Sequence, residues 1–240
     1  VVNAVSVVIP ACNEEALIGR AINSAIKSAK FANIDNLEVV VVINRCTDKT
    51  EEVARSLNAK IVYCDQKNLS AIRNAGVNAT TSDIILTIDA DSVMSENMIS
   101  EVINSLSNQN VVGGGCIIWP ERISLGIFLT GLLLAPFVIF EQISAGLFFF
   151  RRADFDAING FDVNFLSAED IDFARRLKAL GKKTSRKFKT IYKASIITSC
   201  RKFDTFGDWY FFKNPLMMLK LLRGKDRRYA DLIWYDYHKK

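Results

Sequence analysis

The 240-residue chain is poor in histidine, proline and paired cysteine: it has one histidine, His238, four prolines and five cysteines. No two of Cys12, Cys46, Cys64, Cys116 and Cys200 form a C-x-x-C pair. That sets aside a zinc site and a redox motif, and leaves the reduced thiols of a cytosolic protein as the simplest reading. His238 stands two residues from the end, where a mobile tail is the default and metal ligation the alternative. No dense basic stripe exists, so nucleic acid is not an expected partner. The net charge of +5 suits a phosphate-bearing small ligand or an anionic membrane surface. Linkers, internal repeats and low-complexity stretches are missing too. Val5–Pro10 has no basic residue before it and is too short an apolar run for a signal peptide. Half of the residues are hydrophobic and 24% are charged, so one domain with a sizeable core is expected over 1–240.

What is present is an alternation. Val5–Ile9, Val39–Ile43, Lys60–Tyr63, Ile84–Ile88 and the run beginning at Val111 read as strands. Ala16–Lys30, Asp48–Leu57, Leu69–Asn78 and Glu96–Leu106 read as helices between them. Continuous apolar strands alternating with helices predict an α/β fold with a mostly parallel central sheet and helices on both faces. Ligands of such sheets lie at the carboxyl ends of the strands. Three polar clusters fall there: Pro10–Glu15, Asn44–Asp48 and Asp89–Asp91.

The second half breaks the pattern. Ile123–Phe140 is apolar and uncharged but contains Gly126, Gly131 and Pro136. A buried or interfacial segment is expected, with a membrane span as the alternative. Ala168–Leu180 reads as helix. Phe203–Leu222 is aromatic-rich and amphipathic, and the basic run Arg223–Arg228 follows it.

Asp89-Ala90-Asp91 places two carboxylates two residues apart after a strand, on one side of the chain. Hard oxygen anions in that arrangement suit Mg²⁺ or Mn²⁺. The competing reading is a solvated turn in which Asp91 or Ser92 caps the next helix. Asp170, in Ser167-Ala168-Glu169-Asp170, can serve as a general base. Equally, Ser167 with Asp170 three residues on resembles a capping box. Arg73 is either a phosphate clamp or a solvated helical arginine, and Arg201 with Lys202 invites the same two readings.

In order, these pieces resemble glycosyltransferase family 2. The resemblance runs from Val5-Ser6-Val7-Val8-Ile9-Pro10-Ala11-Cys12-Asn13-Glu14-Glu15 through Cys46-Thr47-Asp48-Lys49-Thr50, Arg73-Asn74-Ala75-Gly76 and Asp89-Ala90-Asp91. It continues with Phe150-Arg151-Arg152, Gly160-Phe161-Asp162 and Glu169-Asp170, and ends near Arg201. It implies a GT-A fold and transfer, with inversion, from a nucleotide-diphosphate sugar to an acceptor hydroxyl. It implies a nucleotide-sugar-binding half over 1–115, an acceptor and catalytic half over 116–205, and leaves an amphipathic basic tail over 206–240. By the same resemblance Pro10, Ala11, Asn13, Glu14, Asn44, Asp48, Arg73, Asp89 and Ala90 would line the donor site. Asp91, with Asp89, would hold the metal, and Asp170 beside Glu169 would be the base. Where the family shows two acidic residues after the second strand, this chain has Ile43 and Asn44. Asn44 can still accept a hydrogen bond from a base N–H through its amide oxygen.

Two other readings compete. A nucleotidyltransferase would carry a Gly-rich, basic loop after the first strand, whereas Ala11–Glu15 is acidic and lacks glycine. A non-catalytic membrane-associated module would have no need of Asp89, Asp91 and Asp170. Trp209–Phe212, Lys220 and the basic run suggest peripheral contact with the cytoplasmic face of a membrane, and a lipid-linked or amphiphilic acceptor.

Overall fold

The computed structural model of the chain describes residues 3–141 and 146–222. The parallel half follows the expected alternation. β1 (Ala4–Ala11), β2 (Asn36–Ile43), β3 (Lys60–Tyr63) and β4 (Ile84–Ile88) pair in parallel in the order β3-β2-β1-β4. The side chains of β1 show why. Val5, Val7 and Ile9 enter one apolar cluster and Val8 the other, so no position is left for a solvent face. Helices α1 (Ile18–Phe31) and α4 (Met98–Ser107) cover the first cluster. Helices α3 (Leu69–Asn78), α6 (Arg152–Ala157) and α7 (Glu169–Lys183) cover the second, and α2 (Thr50–Ser56) adds Ala54 to the first.

Four further strands extend this sheet to eight. The order continues through β7 (Leu147–Arg151), β6 (Val111–Pro120), β8 (Lys187–Thr198) and β5 (Ser92–Met94). β7 runs antiparallel to both β4 and β6, β5 runs antiparallel to β8, and β6 and β8 are parallel. The fold is therefore α/β, with its parallel character concentrated in the first half. β6 runs through Gly113-Gly114-Gly115, because a Cβ on Gly114 would stand 1.8 Å from the Lys189 carbonyl oxygen. Glycine is here the condition for two strands to approach, although it weakens strand propensity.

Two expectations are corrected. The segment after Asp91 is not a capped helix: β5 intervenes, and α4 begins only at Met98. The capping box at Ser167 is not formed either. α7 starts at Glu169, and its cap residue is Ala168 in left-handed backbone, φ 54°.

The apolar stretch forms α5 (Leu125–Glu141), with Pro136 inside it. At 1.5 Å per residue its length is about 25 Å, short of the roughly 30 Å of a bilayer core. No helix among the described residues is long and apolar enough to cross a membrane. Of α5's described side chains, Ile127 and Thr130 are buried, while Leu125 (64%), Phe128 (59%) and Leu132 (59%) are exposed. Three short helices follow β8: α8 (Arg201–Phe206), α9 (Tyr210–Lys213) and α10 (Pro215–Leu222). Phe211 and Met217 make a small core of their own there, with Phe203, Phe206 and Tyr210 against it. The aromatic cluster expected at a membrane surface is thus split: Phe211 packs inward, while Trp209 and Phe212 stay partly exposed. Arg223–Arg228 and His238 lie outside the described residues.

Candidate active site

Because β1, β2 and β4 are parallel, their carboxyl ends meet at one edge, and the three polar clusters meet with them. The loop after β1 is bound to the loop after β2. Asn13, at φ 55°, accepts at Oδ1 from the Thr47 amide (2.8 Å). Asp48 accepts from the Glu15 amide (3.0 Å), and the Glu14 amide donates to Thr50 Oγ1 (2.7 Å). Asn13 and Asp48 therefore brace loops and do not line the cavity beside them.

That cavity has a volume of about 370 Å³. Pro10, Ala11, Glu14, Asn44, Arg73, Asp89, Ala90, Asp91, Glu169 and Asp170 all line it, drawn from five separate stretches of sequence. Asp89–Asp91 form a turn between β4 and β5, not the end of a strand, and the Ser92 amide donates to the Asp89 carbonyl across it. Arg73 is 4% exposed, which overturns its reading as a solvated helical arginine. Its Nη2 donates to Asp89 Oδ1 at 2.8 Å and its Nη1 to Glu169 Oε1, so one guanidinium joins the two acidic motifs. Phe161 stacks beneath it at 5.5 Å. The turn of α3 that carries Arg73 is pressed onto the sheet through Gly76, where a Cβ would stand 2.3 Å from Val8 Cγ1.

The electrostatics follow from crowding. Five carboxylates (Glu14, Asp89, Asp91, Glu169 and Asp170) share the cavity with three cations (Arg73, Arg201 and Lys202). Burial raises Asp170 to about 7, the Glu169 charge adds to this, and Arg73 opposes it. Burial likewise raises Glu14 to about 6 against the pull of Arg201, and lifts Asp89 above the ordinary carboxylate range against the pull of Arg73. Lys202 is lowered to about 8 by desolvation, opposed by Asp91 and Asp89.

Among the described residues no group of three or more His, Cys, Asp or Glu side chains is arranged to hold a metal alone. Magnesium-type sites need no such group. They commonly use one or two carboxylates and complete the shell with water and substrate phosphate. Asp91 fits that role: its contacts, from Ser92 Oγ and Arg201 Nη2, are both long at 3.4 Å.

Some lining residues were not among the sequence-predicted set. Ile118, Ile196, Phe203 and Phe211 give the cavity an apolar wall. Arg201 and Lys202, which the sequence had offered as phosphate clamps or solvated side chains, follow the end of β8 and line the cavity as well.

Comparison with known proteins agrees with this geometry. Residues 6–125, half of the chain, match the model of Glycosyl transferase family 2. An uncharacterized glycosyltransferase of Rickettsia typhi is 34% identical over 98 residues, 41% of this chain and 31% of that protein. The aligned part thus spans less than a third of that relative's length. The crystal structure of S. aureus TarS 1-349 in complex with UDP-GlcNAc superposes with a TM-score of 0.64 at 17% identity, over 98% of this chain and 71% of that one. The mannosyltransferase PcManGT from Pyrobaculum calidifontis, in complex with GDP-Man and Mn²⁺, gives 0.60 at 20% identity, over 80% and 56%. With its motifs gathered on one GT-A scaffold and half its length matching the family model, the chain belongs to glycosyltransferase family 2.

Proposed function

We propose that the protein transfers a sugar from a nucleotide-diphosphate sugar to an acceptor hydroxyl, with inversion and with the aid of Mn²⁺ or Mg²⁺. The observation that carries this reading is the single cavity shared by Asp89, Asp91, Glu169 and Asp170, with Arg73 tying the pairs together. Asp91 would be the main holder of the cation. Asp89 is the second, because its Oδ1 is already engaged by Arg73. When bound, the cation offsets the charge that develops on the departing diphosphate. Asp170 accepts the proton of the attacking hydroxyl. A carboxyl held near neutrality is well matched to that task. The new C–O bond forms opposite the bond that breaks, so one displacement inverts the anomeric carbon.

Asn44 supports a base that carries a ring N–H. Its Nδ2 donates to the carbonyls of Cys64 and Gln66, and its Oδ1 accepts only a long contact from Arg45 Nε at 3.5 Å, which leaves that oxygen a lone pair for accepting. Uracil, thymine and guanine offer such a donor. The UDP-GlcNAc and GDP-Man bound by the two superposed structures have bases of this kind.

The exposed face of α5 supports an amphiphilic or lipid-linked acceptor and peripheral work at the cytoplasmic face of a membrane. Leu125, Phe128 and Leu132 form an uncharged surface there, and Lys213 and Lys220 are exposed nearby in sequence to Trp209 and Phe212. Flotation with anionic liposomes tests this: salt-sensitive binding supports it, and a monomer that never floats refutes it.

The catalytic proposal is tested by incubating UDP-, GDP- and dTDP-sugars with the protein and Mn²⁺. Slow release of a nucleoside diphosphate is expected. Pyrophosphate release would favour a nucleotidyltransferase, and no turnover of any donor would favour a non-catalytic module.

A further inference from the structure

The five cysteines are all free, but they are not placed alike. Cys116 and Cys200 are buried, at 0% and 4% exposure. Cys12, Cys46 and Cys64 are half-buried and fall just after β1, β2 and β3, on the edge of the sheet where the cavity lies. Cys12 lines that cavity, and the transfer reaction proposed above uses neither its thiol nor that of Cys46.

Cys46 is folded back onto Cys12. Its Sγ donates to the Ala11 carbonyl and accepts from the Asn13 amide, each at 3.4 Å. Those two groups belong to the peptide units on either side of the Cys12 Cα, so the Cys46 sulfur lies within a side chain's length of Cys12. The strands that lead into the two loops are neighbours, with Ala11 beside Ile43. Neighbouring strands lie roughly 4.8 Å apart, within the roughly 4.4–6.8 Å between Cα atoms that a disulfide spans. The loops are also braced together by the bonds from the Thr47, Glu15 and Glu14 amides to Asn13, Asp48 and Thr50. Cys64 follows β3, one strand further out.

We propose that Cys12 and Cys46 are a redox-modifiable pair that shuts the donor site when joined as a disulfide. This rests on reading the cavity as a nucleotide-sugar site. Each thiol gives up its hydrogen and one S–S bond forms. The two hydrogens and two electrons pass to an oxidant of the low-molecular-weight disulfide class, which leaves as two thiols. Joining removes the hydrogen that Cys46 Sγ donates to the Ala11 carbonyl and draws Cys12 towards the loop after β2. Pro10, Ala11 and Glu14 line the cavity on either side of Cys12, so the wall they form is displaced with it. Burial raises both thiols, and the charge of Cys46 adds to this at Cys12. The attacking species is the thiolate, so the pair joins slowly near neutrality and faster as pH rises.

The test is treatment with diamide, which accepts the same two hydrogens across its N=N bond, followed by peptide mapping without reductant. A Cys12–Cys46 link is expected, formed faster at about pH 8.5 than at about pH 7, with Cys116 and Cys200 unmodified. Release of nucleoside diphosphate from the accepted donor, with Mn²⁺, should fall at least about tenfold, since displacing positioning groups by about 1 Å can cost about 10² in rate. Dithiothreitol should restore it. Preloading with the matching nucleoside diphosphate and Mn²⁺ should slow the joining. Cys46→Ser should form no link and keep through the treatment whatever activity it had before. Should that variant fail to fold, Cys46→Ala takes its place. A folded wild-type protein that never forms the link overturns the proposal. So does a link that leaves turnover unchanged, or a Cys46 variant that diamide inactivates as it does the wild type. A protein that turns over no donor before oxidation overturns the glycosyltransferase reading, and with it the switch, whether or not the peptide map shows the link.

Discussion

Replacing Arg73 by methionine probes the bridge on which the site depends. Methionine keeps an apolar stem and deletes the charge, together with the guanidinium's contact over the Phe161 ring. Removing one partner of a buried ion pair costs roughly 3–5 kcal/mol, because the other charge is left uncompensated. Here the partners differ: the Glu169 side chain is 8% exposed and Asp89 is 39% exposed, so water screens only the second. The lower end applies, about 3 kcal/mol. Arg73 Nε is itself buried without a hydrogen-bond partner, so losing it recovers some desolvation. The loss should depend on pH in a definite direction. Arg73 holds down the carboxyls of Asp89 and Asp170, which burial pushes up. Without it both rise further in the folded state, and the folded protein then binds protons that the unfolded chain releases. Protonation relieves the defect, so the deficit should be larger at pH 8 than at pH 5. Urea denaturation at the two pH values, without metal, measures this. A deficit below about 1 kcal/mol at pH 8, or one equal at both pH values, would refute the bridge as a stabilising element.

Asp91→Asn should leave the fold intact, nearly abolish transfer and remove the rise in melting temperature that Mn²⁺ gives the wild-type protein; a preserved Mn²⁺ shift means that the ion sits elsewhere. Asp170→Asn should change stability little and lower turnover by about 10²–10⁴, so a stability loss with normal turnover would return Asp170 to a purely structural role. The wild-type rate should climb as pH rises through about 7, where Asp170 loses its proton. Stability runs the other way: the contributions of Asp170 and Glu14 are present at low pH and fade as pH rises from about 4 to 7. Glu14→Gln should therefore flatten the wild-type slope of stability between about pH 4.5 and 6, and an unchanged slope contradicts the assignment. Gly76→Ala should cost about 1–3 kcal/mol by overpacking against Val8 and Val42, read as a lowered urea midpoint.

The sequence by itself determined the parallel half of the fold. Runs such as Val39–Ile43 and Ile84–Ile88 have no polar alternation, so they must be buried on both faces, and a sheet covered by helices is the arrangement that does this. From that sheet the edge carrying Pro10–Glu15, Asn44–Asp48 and Asp89–Asp91 followed at once. The ordered motifs also identified the family. β6, β7 and β8 were harder to read for local reasons. β6 contains three consecutive glycines whose fitness for a strand comes from their neighbours. β8 shifts register between Ile191 and Ser195, which breaks its period-two pattern. β7 is a short block, Leu147–Arg151, whose aromatic residues fit a core helix as well as a core strand. Only the tertiary structure decided what Arg73 does, because its partners lie 16 and 96 residues away and no local rule reaches that far. The same holds for Asp170, whose raised pKa comes from burial and from charges brought in by other elements. Likewise α5 was an apolar run in sequence, and its exposed face emerged only once the sheet had filled its core without it. A residue's chemistry is legible where the chain is its own environment, and must be solved in space where the environment is the rest of the fold.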